Sequence, residues 1–268
     1  MKMSKRNKKV TDNTSDQDRF LDKQRYDQAS QIELNKLKLS QKGFDTETEI
    51  PQQFQDPFSK YYEAIYRLIP AGARTLELGC GSGRHTAPLF RNSGKVYACD
   101  ISPASLDLLQ INFGAKEPGK LNLIESSMDS IPVEDECFDA VVSCGSWSYA
   151  DQKRLILEIN RVLRPGGVLI VLDTLNHNPL YRLKRYIRYK KGERTLSTII
   201  RMPTLQTFQA LSERFSIESV KYFGSFLWLY PILSRTIGSR YALRIESKLT
   251  HLAPKKLAFK FLLVAIKK

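Results

Sequence analysis

From Arg74 onward the chain alternates short, nearly continuous apolar runs with segments whose apolar residues recur at helical spacing. The runs TLEL (75–78), KVYACD (95–100), LNLIES (121–126), FDAVVSC (138–144) and GVLIVLDTL (167–175) read as strands buried on both faces. Between them, ASLDLLQINF (104–113) and KRLILEINRVL (153–163) carry apolar residues three and four apart, the pattern of a helix lying on a sheet. A helix is also predicted over 57–69, opened by Pro57 and stopped by Pro70-Ala71-Gly72. Strand and helix in alternation predict an α/β fold whose parallel sheet is covered on both faces.

Outside this core the pattern changes. Residues 1–16 have almost nothing to bury and are expected to lack structure, and 17–42 read as a polar helix with sparse apolar positions. After the fifth strand come a basic helix (178–191) and a helix near 205–214. The strand FSIESVKYF (215–223), a long apolar and basic stretch (225–256) and the closing strand AFKFLLVAI (258–266) follow. The expected organisation is an N-terminal extension (1–56), partly disordered, and one domain (57–268). That domain divides into a core (57–175), a basic acceptor or lid region (176–257) and the closing strand.

Charge sharpens the division. The net charge is +14, and residues 176–268 alone hold 19 basic and 4 acidic side chains. Such a field attracts an anionic substrate, an anionic lipid surface or nucleic acid. No apolar run approaches the roughly 20 residues that span a bilayer. No apolar segment follows the basic MKMSKRNKKV, so no secretory signal peptide is expected. Cys80, Cys99, Cys137 and Cys144 have neither metal-ligand nor disulfide-framework spacing, so a reduced, cytoplasmic chain is expected, with no metal site.

The candidate chemistry lies at the ends of the strands. The first strand runs into Glu77-Leu78-Gly79-Cys80-Gly81-Ser82-Gly83, where glycines let the backbone approach a ligand. Arg84 stands where a dinucleotide fingerprint has its third glycine, and Glu77 within the strand suits a cationic group better than a pyrophosphate. Asp100 ends the second strand, where a carboxylate accepts both ribose hydroxyls of a nucleoside.

With these residues, and with Glu158-Ile159-Asn160-Arg161-Val162-Leu163-Arg164-Pro165-Gly166-Gly167 before strand five, the chain resembles the class I S-adenosylmethionine-dependent methyltransferases over residues 58–175. The likeness is to the branch that includes quinone and small-molecule methyltransferases. It implies a Rossmann-like, seven-stranded, mostly parallel sheet with an antiparallel last strand, here with a helical insertion at 225–256. It also implies S-adenosylmethionine as cofactor. Its methionine end would lie at Glu77, Gly79 and Gly81, its ribose at Asp100, its adenine at Ile101, Met128 and Asp129. Ser143 and Ser146 would line the sulfonium, and Tyr61 or Tyr62 would cover the far side.

For the acceptor, His177 is the candidate base, with Asp173 its rival, since both lie at the carboxyl end of strand five. His85 reads as structural or cofactor-adjacent. Asn178-Pro179-Leu180-Tyr181 looks like an amino-methyltransferase motif but stands after the wrong strand, so Asn178 reads as a helix cap. The four cysteines read as buried filling. A weaker similarity, over 176–205, is to methyltransferases of bacterial surface-polysaccharide assembly. It implies O-methylation of a small anionic or lipid-linked glycan, with peripheral contact at the inner membrane surface through Arg182, Arg185 and Arg188. The alternatives are an RNA methyltransferase using the basic third, and a non-catalytic partner subunit, against which the intact glycine loop and both acids speak.

Overall fold

The computed structural model describes the backbone of residues 3–40 and 51–268, and the side chains of 17–35 and 51–268. The elements in order are α1 (Met3–Ser40), α2 (Gln55–Leu68), β1 (Ala73–Leu78), β2 (Ser93–Asp100), α3 (Pro103–Leu109), β3 (Leu121–Glu125), β4 (Phe138–Cys144), α4 (Gln152–Val162) and β5 (Leu163–Thr174). There follow α5 (Pro179–Lys190), α6 (Leu196–Ile200), α7 (Leu205–Ser212), β6 (Phe215–Phe223), α8 (Tyr230–Ile237), α9 (Ser239–Leu252) and β7 (Lys260–Lys267).

The strands form one sheet in the order β3-β2-β1-β4-β5-β7-β6. β1 to β5 are parallel, and β7 runs antiparallel between β5 and β6. All the parallel strands therefore end on one edge, where β7 begins and β6 ends. Alternation along the strands divides the interior into two layers. Leu76, Leu78, Val141, Leu169 and Val171 pack with α4 and α7 on one face. Ala98, Ala140, Val142, Ile170 and Leu172 pack with α2 and α3 on the other. Burial on both faces is why these strands read as unbroken apolar runs.

One difference from expectation concerns the N-terminal end of the chain, whereas the insertion at 225–256 is helical as expected. Residues 3–16, expected to lack structure, continue the helix of α1, while the predicted end of that helix at 42 lies outside the described residues. The stretch 225–256 is the helical hairpin α8–α9, inserted between β6 and β7. The basic helix forms as predicted: Asn178 caps it by accepting from the Leu180 amide (3.0 Å), and its amide side chain donates to the Leu257 carbonyl (2.7 Å).

The Glu158…Arg161 pattern has a structural use. Arg161 bonds Glu158, Asp135 and the carbonyls of Ile131 and Val133, while Glu158 accepts from the Ile131 amide. These bonds tie α4 to the loop that follows β3 and so fix one side of the site.

Candidate active site

The glycine loop leaves β1 with Gly79 at φ +65° and Gly81 at φ +53°, backbone that a side chain disfavours. At Gly79 space forbids one as well, since a Cβ would stand 2.4 Å from the Ser146 Cβ. Ser146 itself is held by donating to the Leu78 carbonyl (2.9 Å) and by its bond to Ser143 (2.7 Å). Loop and β4 end therefore fit closely, and above them opens a cavity of about 400 Å³ at the carboxyl edge of the sheet. Ligands of open α/β sheets bind at this edge.

Asp100 lines the cavity beside the loop. It accepts from the amides of Gly81 (2.8 Å) and Ser102 (3.0 Å), which fixes its carboxylate while leaving acceptor capacity toward the cavity. Burial raises its pKa, opposed by the bonds from Ser102 and Gly81. Glu77, by contrast, is 2% exposed and does not line the cavity. Its carboxylate accepts from the Thr86 hydroxyl (2.6 Å) beneath the loop. Burial pushes its pKa up to about 7, against the Thr86 bond and with help from Asp100.

The expected site residues divide accordingly. Gly79, Gly81, Asp100, Ile101, Met128 and Ser146 line one cavity. Ser143 lies one layer behind Ser146, and Asp129 accepts from Arg19 (2.9 Å) and Ser127 rather than facing the space. Tyr61 is wholly buried with an unpartnered hydroxyl, so it is a core residue and not a cover. The structure also moves both proposed bases away from the cavity. Asp173 is 1% exposed and accepts from the Trp147 amide (2.9 Å), the Thr174 amide and the Thr174 hydroxyl. The His177 Nε2 accepts from the Leu205 amide (2.9 Å), so its lone pair is occupied.

Several lining residues were not anticipated. Cys80, Cys99 and Cys144 reach the cavity wall rather than only filling the core, and burial raises the pKa of all three thiols. His85, read from the sequence as structural or cofactor-adjacent, does line the wall, stacked on Phe58 (4.8 Å), with Nδ1 2.7 Å from the Tyr62 hydroxyl. Burial, with Arg84 and Lys260 nearby, pushes its pKa down to about 4, so it is neutral at pH 7.

Most unexpected is α1, which supplies Arg19, Tyr26, Ser30 and Glu33 to the wall. It is held there by Asp27 accepting from Ser102 (2.6 Å), by Ser30 with Ser105 (2.9 Å), by Tyr26 donating to Tyr149, and by Asp22 accepting from Thr195 (3.1 Å). A faint signal existed in the i, i+4 stripe Asp22, Tyr26, Ser30, Leu34, three of whose members are buried.

Among the described residues no cluster of His, Cys, Asp or Glu is arranged to hold a metal ion, and no helix is long and apolar enough to cross a membrane. The donor set fits a nucleoside with a cationic tail. The Asp100 carboxylate faces the cavity for the ribose, a glycine cradle admits the tail, and Ile101 and Met128 offer apolar surface to a base. Asp100, Gly79 and Gly81 are the residues that would hold S-adenosylmethionine.

Comparison with known proteins agrees. Residues 76–171 match the family model described as a methyltransferase domain. An uncharacterized methyltransferase of Mycobacterium tuberculosis is 41% identical over 108 residues, which is 40% of this chain and 42% of that protein. The ubiquinone/menaquinone biosynthesis C-methyltransferase of Cronobacter sakazakii is 28% identical over 58% of this chain and 70% of its own length. This chain thus spans about two fifths of the mycobacterial relative. The crystal structure of geranyl diphosphate C-methyltransferase from Streptomyces coelicolor, solved with S-adenosyl-L-homocysteine, shares the fold with a TM-score of 0.57. It is 17% identical, with 78% of this chain and 79% of that one covered. Residues 76–171 thus match a methyltransferase domain, set in a seven-stranded sheet whose glycine loop and Asp100 line one cavity.

Proposed function

We propose that the protein transfers the methyl group of S-adenosylmethionine to an oxygen of a small anionic acceptor, a sugar or a lipid-linked glycan of surface-polysaccharide assembly. The observation that carries the enzymatic part is the glycine cradle and the fixed Asp100 carboxylate on one 400 Å³ cavity. The excess charge of residues 176–268 supports the anionic acceptor.

When bound, the cofactor supplies a methyl group on a sulfonium, and transfer is an in-line displacement that depends mainly on alignment. Gly79 and Ser146 would hold that end and Asp100 the nucleoside. An oxygen acceptor also has a proton to lose. His85, neutral at pH 7 and on the cavity wall, takes this role in place of His177 and Asp173. In the tautomer whose Nδ1–H donates to the Tyr62 hydroxyl, Nε2 carries the lone pair that takes the proton.

Calorimetry with S-adenosylmethionine tests the cofactor half. Asp100→Ala removes the ribose acceptor, and charge-assisted bonds of this kind are worth roughly 1.5–3 kcal/mol each, so affinity should fall by about 10²-fold. Unchanged affinity in a folded Asp100→Ala protein would overturn the assignment. The acceptor half is tested by methyl incorporation into lipid-linked glycan against tRNA. A polyanion lining up along the basic third should show a steep loss of binding with salt, about −0.7 per phosphate contacted for a single strand. Incorporation into tRNA with that slope would replace the glycan reading.

A further inference from the structure

A second cavity is larger than the cofactor cavity. It is a groove of about 1140 Å³ bounded by the 52–60 segment, the ends of β6 and β7, and α9. Because β6 ends and β7 begins at the carboxyl edge of the parallel strands, this groove opens on the same edge as the glycine loop. Only one layer separates the two. Lys260, on the groove, lies 5.3 Å from the centre of the Phe58 ring, and Phe58 stacks on His85, which lines the cofactor cavity.

Its chemistry is one-sided. Lys60, Lys221, Arg244, Lys248, Lys255 and Lys260 line it, against the carboxylates of Asp56 and Glu246. Glu246 is already spent, accepting from the Thr250 hydroxyl (2.6 Å) and the Phe226 amide (3.2 Å), and Lys60 is paired with Glu63. The other five cations have no ion pair among the described residues. Holding five like charges around a concave surface is unfavourable unless an anion enters. The walls between them are aromatic and apolar: Phe54, Tyr222, Phe223, Leu227 and Phe259. A ligand matched to both is an amphiphile, with several negative charges at one end and a hydrocarbon chain or ring at the other. A long polyanion is a poorer match, because the charge encircles a pocket instead of following a stripe along the surface.

We infer that this groove binds a phosphate-bearing amphiphile, its phosphate among Lys221, Lys255 and Lys260 and its apolar part on the Phe54–Phe259 wall. That this ligand is the methyl acceptor rests on the proposed function; that the groove binds it does not.

The test uses the full chain and three probes: dodecyl phosphate below its micelle concentration, inorganic phosphate, and dodecyl maltoside. Two double variants are compared with wild type, Lys221→Glu/Lys255→Glu in the groove and Arg182→Glu/Lys184→Glu on the exposed face of α5. Dodecyl phosphate should bind at least tenfold more tightly than either other probe. The groove variant should lose at least tenfold of that affinity while its S-adenosylmethionine affinity, measured separately, stays within twofold. The α5 variant should keep both. Equal binding of dodecyl maltoside, or an equal loss in the α5 variant, would sink the inference, the first by removing the phosphate and the second by reducing the groove to diffuse surface charge. Vesicles of phosphatidylglycerol distinguish a membrane surface from a single bound molecule. Vesicle binding that is lost in the α5 variant and kept in the groove variant, without any dodecyl phosphate binding, also overturns it. If wild type binds dodecyl phosphate but not S-adenosylmethionine, the methyltransferase reading fails and the groove stands.

Discussion

Replacing Glu77 by Gln changes one proton and almost no volume, and the structure says what that proton does. The carboxyl is 2% exposed, and burial raises its pKa from 4.5 to about 7. Below pH 4.5 the group is protonated in both folded and unfolded chains and has no effect on the balance. Between 4.5 and 7 the unfolded chain releases its proton while the native state retains it, so stability falls as pH rises. Each pH unit in that window costs about 1.4 kcal/mol, so the native state loses on the order of 3 kcal/mol by pH 7 through this group. Above pH 7 the contribution is flat. Gln has no such window, so the variant should gain about 2–3 kcal/mol on wild type between pH 5 and pH 8. Urea unfolding followed by circular dichroism at pH 5, 6, 7 and 8 measures this, with midpoints separating by about 1 M. Asp22 and Asp173, which burial also pushes upward, tilt both proteins alike and cancel in the difference, while Asp100, whose charge acts on Glu77, belongs to the same effect. Parallel profiles for wild type and Glu77→Gln would refute the reasoning.

Turnover in His85→Ala should fall by about 10²-fold, the usual worth of a positioned base, with cofactor affinity little changed, and His177→Ala should keep wild-type turnover. The reverse pattern in steady-state kinetics restores His177 as the base. Arg185 is 6% exposed and donates to the Leu175 carbonyl and Asn176, so Arg185→Glu should cost about 3–5 kcal/mol in denaturant unfolding. Arg182→Glu, on the exposed side of the same helix, should stay within about 0.5 kcal/mol of wild type. Gly79→Ala should lose about 2–5 kcal/mol, from left-handed backbone plus the overlap with Ser146, and most cofactor affinity. A stable, cofactor-binding Gly79→Ala protein means the loop is looser than the structure shows.

What could be read in the chain was whatever burial writes as periodicity. The five parallel strands are covered on both sides, so their order and the glycine loop between β1 and β2 were legible, and with them Asp100 and Ser146. α5 announced itself by the cap and first helical residue Asn178-Pro179. What could not be read was side-chain direction at a strand end. Asp173 has a suggestive place along β5, but its carboxylate turns to hold the Trp147 and Thr174 amides. His177 likewise serves the start of α7. The role of α1 was hidden for a different reason. Its inward face is made of Asp22, Asp27 and Ser30, whose partners lie 75 to 173 residues away, so no local hydrophobic pattern marks it.

That polar wall has a practical consequence. An apolar helix face would cling to the domain in any buffer, but α1 is held by exchangeable bonds and by the exposed pair of Lys23 with Glu125. Each such bond nets only about 0.5–1.5 kcal/mol against water, and the ionic ones weaken further as salt screens them. The wall of the cofactor cavity therefore loosens with ionic strength while the sheet beneath stays fixed. Dissociation constants for the same ligand, measured in two laboratories at different salt, will differ without any change in the catalytic chemistry.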